Sequence, residues 1–177
     1  MIEFKELDKN KTYIALQYGE GLISKKIRKY SKQYATNSKK IPTHVLAIVY
    51  NDDTWYIYES HARAFKTLSV SAGVRKIPKS YWKIIEKDTQ YQFRAYELNL
   101  NKNELEKHIG ESYSLGDIHS LFLAALFHNN GKQKDREGLI CSEYIALSYP
   151  KICEYYALPA WCITPAHFQD YLDKRSM

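Results

Sequence analysis

Cysteine is scarce in this chain, with three residues in 177. A small, odd number supplies no disulfide framework and fits a reducing compartment. Long apolar runs are missing too. The longest, Leu121 to Phe127, sits between His119 and His128 and is far too short to cross a bilayer. The chain opens Met-Ile-Glu-Phe-Lys-Glu-Leu-Asp. With acidic residues and no apolar core, that opening predicts no signal peptide and a cytoplasmic location. Glycine is limited to seven residues, and none falls in a phosphate-binding loop; Gly19 and Gly21 read as a turn. Cys153, Cys162 and His167 match no zinc spacing and are expected to pack in the core. No metal or cofactor is expected. Repeats, low-complexity segments and linkers are absent, and the length fits a single domain over residues 1–177.

What is present is a chain able to fold. Hydrophobic residues make up 45%, enough for a packed core. There are 16 tyrosines, which suit strands and half-wet surfaces. The net charge is +6, which reads as a soluble basic surface or as attraction to an anionic partner. Leu22 to Tyr34 predicts a helix, with Ile23, Ile27, Tyr30 and Tyr34 on one stripe. Lys25, Lys26, Arg28, Lys29 and Lys32 occupy its other face. That face is either solvated or a docking surface, and Lys25, Lys26, Lys29 and Lys32 are the candidates for an anionic surface.

Strands are expected at Thr12 to Leu16, Thr43 to Tyr50, Thr54 to Ser60, Val70 to Ile77 and Gln90 to Leu98. Helices are expected at Asn103 to Ile109, from Asp117 to about His128, at Cys141 to Tyr149, and from Thr164-Pro165 to Leu172. Asn129 to Glu137 reads as a charged loop. One helix, a run of strands and then helices is the order of an α+β protein with an antiparallel sheet.

Cys141 lies in Leu139-Ile140-Cys141-Ser142-Glu143-Tyr144, where a loop turns into a helix. A thiol at a helix N-terminus meets unpaired N–H groups and the positive end of the dipole, and both favour the thiolate. The alternative is a small buried hydrophobe. The hairpin supplies a second candidate. With Asn51-Asp52 as a two-residue turn, Tyr50 pairs with Asp53, Ile48 with Trp55, Leu46 with Ile57, and His44 with Glu59. His44, Leu46, Ile48, Trp55, Ile57 and Glu59 then share one face. A carboxylate on an apolar face needs a partner, and His44 directly opposite is one. The same pair also reads as a surface cross-strand ion pair. His61 shares the face and is a weaker alternative base. His108, His119 and His128 have no matched partner in the sequence. Cysteine, histidine and carboxylate are together the parts of a nucleophile, a base and an orienting group.

These residues carry a resemblance. Pro42-Thr43-His44-Val45-Leu46-Ala47-Ile48-Val49, then Ile57-Tyr58-Glu59-Ser60, then Ile140-Cys141-Ser142-Glu143-Tyr144 resemble the permuted papain-like amidases of the YiiX type. Those are relatives of the NlpC-type cell-wall peptidases and the lecithin retinol acyltransferase-like enzymes. Gly19 to Ser24, Gly110-Glu111-Ser112-Tyr113 and Ile163 to Ala166 match more weakly, so the resemblance spans nearly the whole chain in order. It implies a circularly permuted papain-like fold with an antiparallel sheet packed against helices. It also implies a thiol hydrolase or acyl transferase, with Cys141 as nucleophile, His44 as base and Glu59 as orienting residue. Tyr113 would lie near the site as a substrate or oxyanion contact. The substrate would be a peptide or acyl compound, such as a peptidoglycan-type peptide or a lipid-linked acyl group. The alternative is a non-catalytic acyl- or peptide-binding module on the same fold. Two departures stand out: Ser114 replaces the aspartate common after that tyrosine, and the secretion or lipoprotein start of many relatives is missing.

Overall fold

The computed structural model describes residues 6–19, 21–35, 40–62, 70–81, 92–114 and 138–175. The helix expected from Asp117 to His128 and the loop from Asn129 to Glu137 lie outside them.

The described strands are β1 (Thr12–Tyr18), β2 (His44–Asn51), β3 (Thr54–His61), β4 (Gly73–Pro78) and β5 (Gln92–Glu97). They form one sheet in the order β4-β3-β2-β1-β5, and every neighbouring pair is antiparallel. The helices are α1 (Leu22–Ser31), α2 (Lys102–Lys107), α3 (Cys141–Ser148), α4 (Lys151–Tyr156) and α5 (Pro165–Arg175). The molecule is therefore α+β. No helix among the described residues is long and apolar enough to cross a membrane.

Side-chain alternation gives the sheet two apolar faces. Ile14, Leu16, Val45, Ala47, Val49 and Tyr58 pack with Leu105, Tyr144, Ile145, Ile152, Phe168 and Leu172 from the helices. Tyr13, Ala15, Leu46, Ile48, Trp55, Ile57 and Ile77 form a second cluster on the other face. Each fully buried Ile or Leu in these layers contributes about 1.5–3 kcal/mol.

The β2–β3 hairpin corrects the expected register. Asn51 pairs with Thr54, Tyr50 with Trp55 and Ile48 with Ile57. The turn is Asp52-Asp53, not Asn51-Asp52. Both aspartates have positive φ, 45° and 59°, as a type I′ turn requires. A short polar side chain tolerates that conformation, so aspartate served where asparagine was expected. The slip moves each partner by two positions, which preserves the faces, whereas a slip of one would have exchanged them. His44 and Glu59 stay on one face but are not directly opposite.

Smaller differences concern element ends. The first helix passes at Lys32–Tyr34 into a 3₁₀ turn. A helix, α4, follows Pro150 directly, in a stretch where no helix was expected. Thr164 opens α5 through its hydroxyl and backbone N–H, each 3.0 Å from His167 Nδ1.

Two glycines fix the segment before the site. Gly73 has φ +116°, and a Cβ there would lie 2.3 Å from the Glu111 carbonyl oxygen. Gly138 has φ +93°, and its Cβ would lie 2.2 Å from the Ser112 carbonyl oxygen. The absent side chains let residues 110–112 run between β4 and the entry to α3. Val74 N–H donates to Glu111 O at 2.8 Å, and Leu139 N–H to Ser112 O at 3.0 Å.

Candidate functional site

The site lies at one rim of the sheet, where β2 begins, β3 ends and α3 starts. Cys141 is the first residue of α3. Ile140 precedes it in extended conformation as N-cap and supplies no side-chain hydrogen bond. An apolar N-cap leaves the first-turn N–H groups without the usual side-chain acceptor. The entry is held from the sheet side, because Ser60 Oγ donates to Leu139 O at 2.5 Å.

His44 is the first residue of β2. Its alternation partners Leu46 and Ile48 belong to the cluster on the face away from the described helices, whereas Cys141 belongs to the helical cluster. The two meet at the rim, where the β2–β3 ladder ends at Ala47 and Tyr58. His44 Nε2 lies 2.9 Å from Glu59 Oε2. The thiol of Cys141 acts on the same ring through charge and a side-chain hydrogen bond. Burial pushes the imidazole pKa down, but Cys141 and then Glu59 outweigh burial and raise it to about 10.

Glu59 is 2% exposed and has a second partner that the sequence did not suggest. Arg75 stands directly opposite on β4. Its Nε and Nη2 donate to Glu59 Oε1 at 2.9 and 2.6 Å, and its Nη1 donates to Ser71 O at 3.1 Å. Burial pushes the Glu59 carboxyl up. The His44 hydrogen bond and the charges of His61, Arg75 and His44 outweigh it and hold the group well below the usual carboxylate range. A signal for Arg75 existed: in β4 it alternates with Ile77, a member of the apolar cluster. A lone cation on an apolar face asks for an anion, as Glu59 does in reverse.

His61 also reaches the site. Its ring lies edge-on to that of His44, with centroids 5.1 Å apart. Tyr113 approaches from the segment held by the two glycines. Burial first, and then the charge of Cys141, pushes its hydroxyl far above the ordinary tyrosine value. The rim thus brings together Cys141, His44, Glu59, His61, Tyr113 and Arg75. Ser114, next to Tyr113 in sequence, is buried.

Other sequence candidates lie elsewhere. His108 is bracketed by Glu104 and Glu111, at 2.9 and 2.6 Å from its two nitrogens. Cys153 and Cys162 are not joined in a disulfide. His167 is packed between Tyr34 and Tyr156, and burial lowers its pKa to about 4. Among the described residues, no group of three or more His, Cys, Asp or Glu side chains is arranged to hold a metal ion. Lys25, Lys26, Lys29 and Lys32 are exposed on α1 and the 3₁₀ turn after it, while Arg28 donates to Gly19 O at 2.7 Å.

A scan against models of known families finds none that matches, and a search of curated proteins finds no match.

Proposed function

We propose that the chain is a thiol hydrolase of permuted papain-like fold, acting on an amide or ester through Cys141, His44 and Glu59. The observation that carries this reading is the imidazole held between a carboxylate and a thiol, at the first residue of a helix without a side-chain cap.

The chemistry follows from those positions. A proton passes from the Cys141 thiol to His44, giving a thiolate and an imidazolium. The sulfur attacks the substrate carbonyl carbon and forms a C–S bond. The first-turn N–H groups of α3 receive the oxyanion. Tyr113, kept protonated by its surroundings, is a second donor. As the tetrahedral intermediate collapses, the bond to the leaving amine or alcohol breaks and His44 gives that group its proton. Water, deprotonated by His44, then attacks the thioester, releasing the acid and restoring the thiol. An acyl acceptor in place of water makes the same enzyme a transferase. A peptidoglycan-type peptide or a lipid-linked acyl group fits this chemistry.

One observation favours a second reading, a non-catalytic acyl- or peptide-binding module. Cys141 is only 4% exposed. Iodoacetamide labelling followed by peptide mapping separates the two. Rapid, pH-dependent labelling of Cys141 that is lost in His44→Ala supports the hydrolase. Labelling confined to Cys153 and Cys162 in the native protein favours the binding module.

A further inference from the structure

We propose that Arg75 is a positioning residue for the thiol–imidazole pair, acting through Glu59. The proposal rests on the hydrolase reading and names a part of the site beyond its three reacting groups.

The geometry gives each Glu59 oxygen a separate task. Oε1 takes two donors from Arg75, and Oε2 faces His44 Nε2. A carboxylate gripped at one oxygen through two guanidinium nitrogens has little freedom to rotate. Its other oxygen is thereby aimed at the imidazole, and the imidazole at the thiol. The guanidinium is itself tethered to Ser71 O and is 5% exposed.

Stability alone does not call for this arrangement. Two buried ions pay a desolvation penalty, and apolar residues of similar volume serve a core as well or better. Arg75 belongs to a strand whose neighbouring inward residue, Ile77, is apolar. The arrangement makes sense as an orienting chain: Arg75 on β4, Glu59 on β3, His44 on β2, Cys141 on α3. The titratable groups around Glu59 among the described residues are His44, His61 and Arg75, with Cys141 and Tyr113 beyond the imidazole.

Without Arg75 the buried carboxylate loses its cation and takes up a proton more readily. A carboxylate no longer gripped at Oε1 turns away from His44 and supports the imidazolium less, so alkylation of Cys141 requires higher pH. The test needs no substrate. The rate of Cys141 alkylation by iodoacetamide is measured against pH in the full chain, with circular dichroism to verify folding. Arg75→Met should move the midpoint up by about one unit, slowing alkylation about tenfold below it. Arg75→Lys retains a cation but not the planar fork, and its midpoint should fall between the two. In a Glu59→Gln background, Arg75→Met should add nothing, because the two act in series.

A folded Arg75→Met protein with the wild-type profile overturns the proposal. If that variant fails to fold, Arg75→Lys decides: a wild-type profile there overturns the orienting role. The hydrolase reading fails separately. It falls, and this proposal with it, if wild-type Cys141 alkylates as an ordinary thiol and His44→Ala leaves its profile unchanged.

Discussion

Cys141 and His44 act on each other, so their removal should not be additive. For the hydrolase proposed above, Cys141→Ala and His44→Ala should each lower turnover at least about a thousandfold, and the double variant little further. Steady-state rates on an activated ester, with circular dichroism as a folding check, measure this. A variant that retains full turnover would refute the roles given to the pair. Glu59 also leaves a signature in stability. Its pKa is depressed in the folded state from 4.5. It therefore stabilises the native state above that value, and the contribution is lost as pH falls through the lower folded value. Urea midpoints taken on either side of pH 4.5 should show the wild type losing its advantage over Glu59→Gln as the solution is acidified. Parallel curves for the two proteins would contradict the depressed value.

The hairpin turn and the glycine-held segment make different demands on the chain. At Asp53, φ is 59°, a conformation glycine reaches without steric cost. Asp53→Gly should stabilise the protein by a few tenths of a kcal/mol, up to about 1, and leave Cys141 labelling unchanged. Gly138→Ala should do the opposite. It forces a Cβ against Ser112 O at φ +93°, costing about 1–3 kcal/mol and shifting Tyr113. Urea midpoints and labelling rates check both. Much of this architecture was legible, because apolar alternation and turn residues act locally. The strands, the Cys141 helix and the α5 start emerged from pattern alone. The register did not, since Asn51 and Asp53 are both acceptable turn residues and only the partner strand decides between them. Glu59 was reached although its predicted opposite was wrong, because the two-position slip kept the face. Arg75 was missed because its partner lies on a strand separated from β4 by residues 62–72 of the sequence, and sequence alternation shows a face but not a neighbour.

The charge of the molecule is uneven in its consequences. The chain carries a net +6, and Lys25, Lys26, Lys29 and Lys32 are exposed. Exposed charges act over roughly 8 Å at physiological salt. Changing these four to Gln should weaken binding to anionic vesicles, with the difference shrinking as salt is raised. In the hydrolase proposed above, cleavage of a small neutral ester should stay within about threefold of wild type. A loss beyond about tenfold, roughly 1.4 kcal/mol of barrier, in a folded variant would place this helix in the active site.

The rim assembles its parts from widely separated stretches of chain: the start of β2, the end of β3, the middle of β4 and the first residue of α3. No short fragment contains both His44 and Cys141. Such non-local pairings form late and slowly, after the entropy of closing long loops has been met. During synthesis, the β2–β4 meander can pair before Cys141 has left the ribosome, so the nascent chain carries the imidazole and the carboxylate but not yet the thiol. In the hydrolase proposed above, reactivity of Cys141 is then a property of the finished fold, and the rate at which it appears on refolding reports the docking of α3 on the sheet.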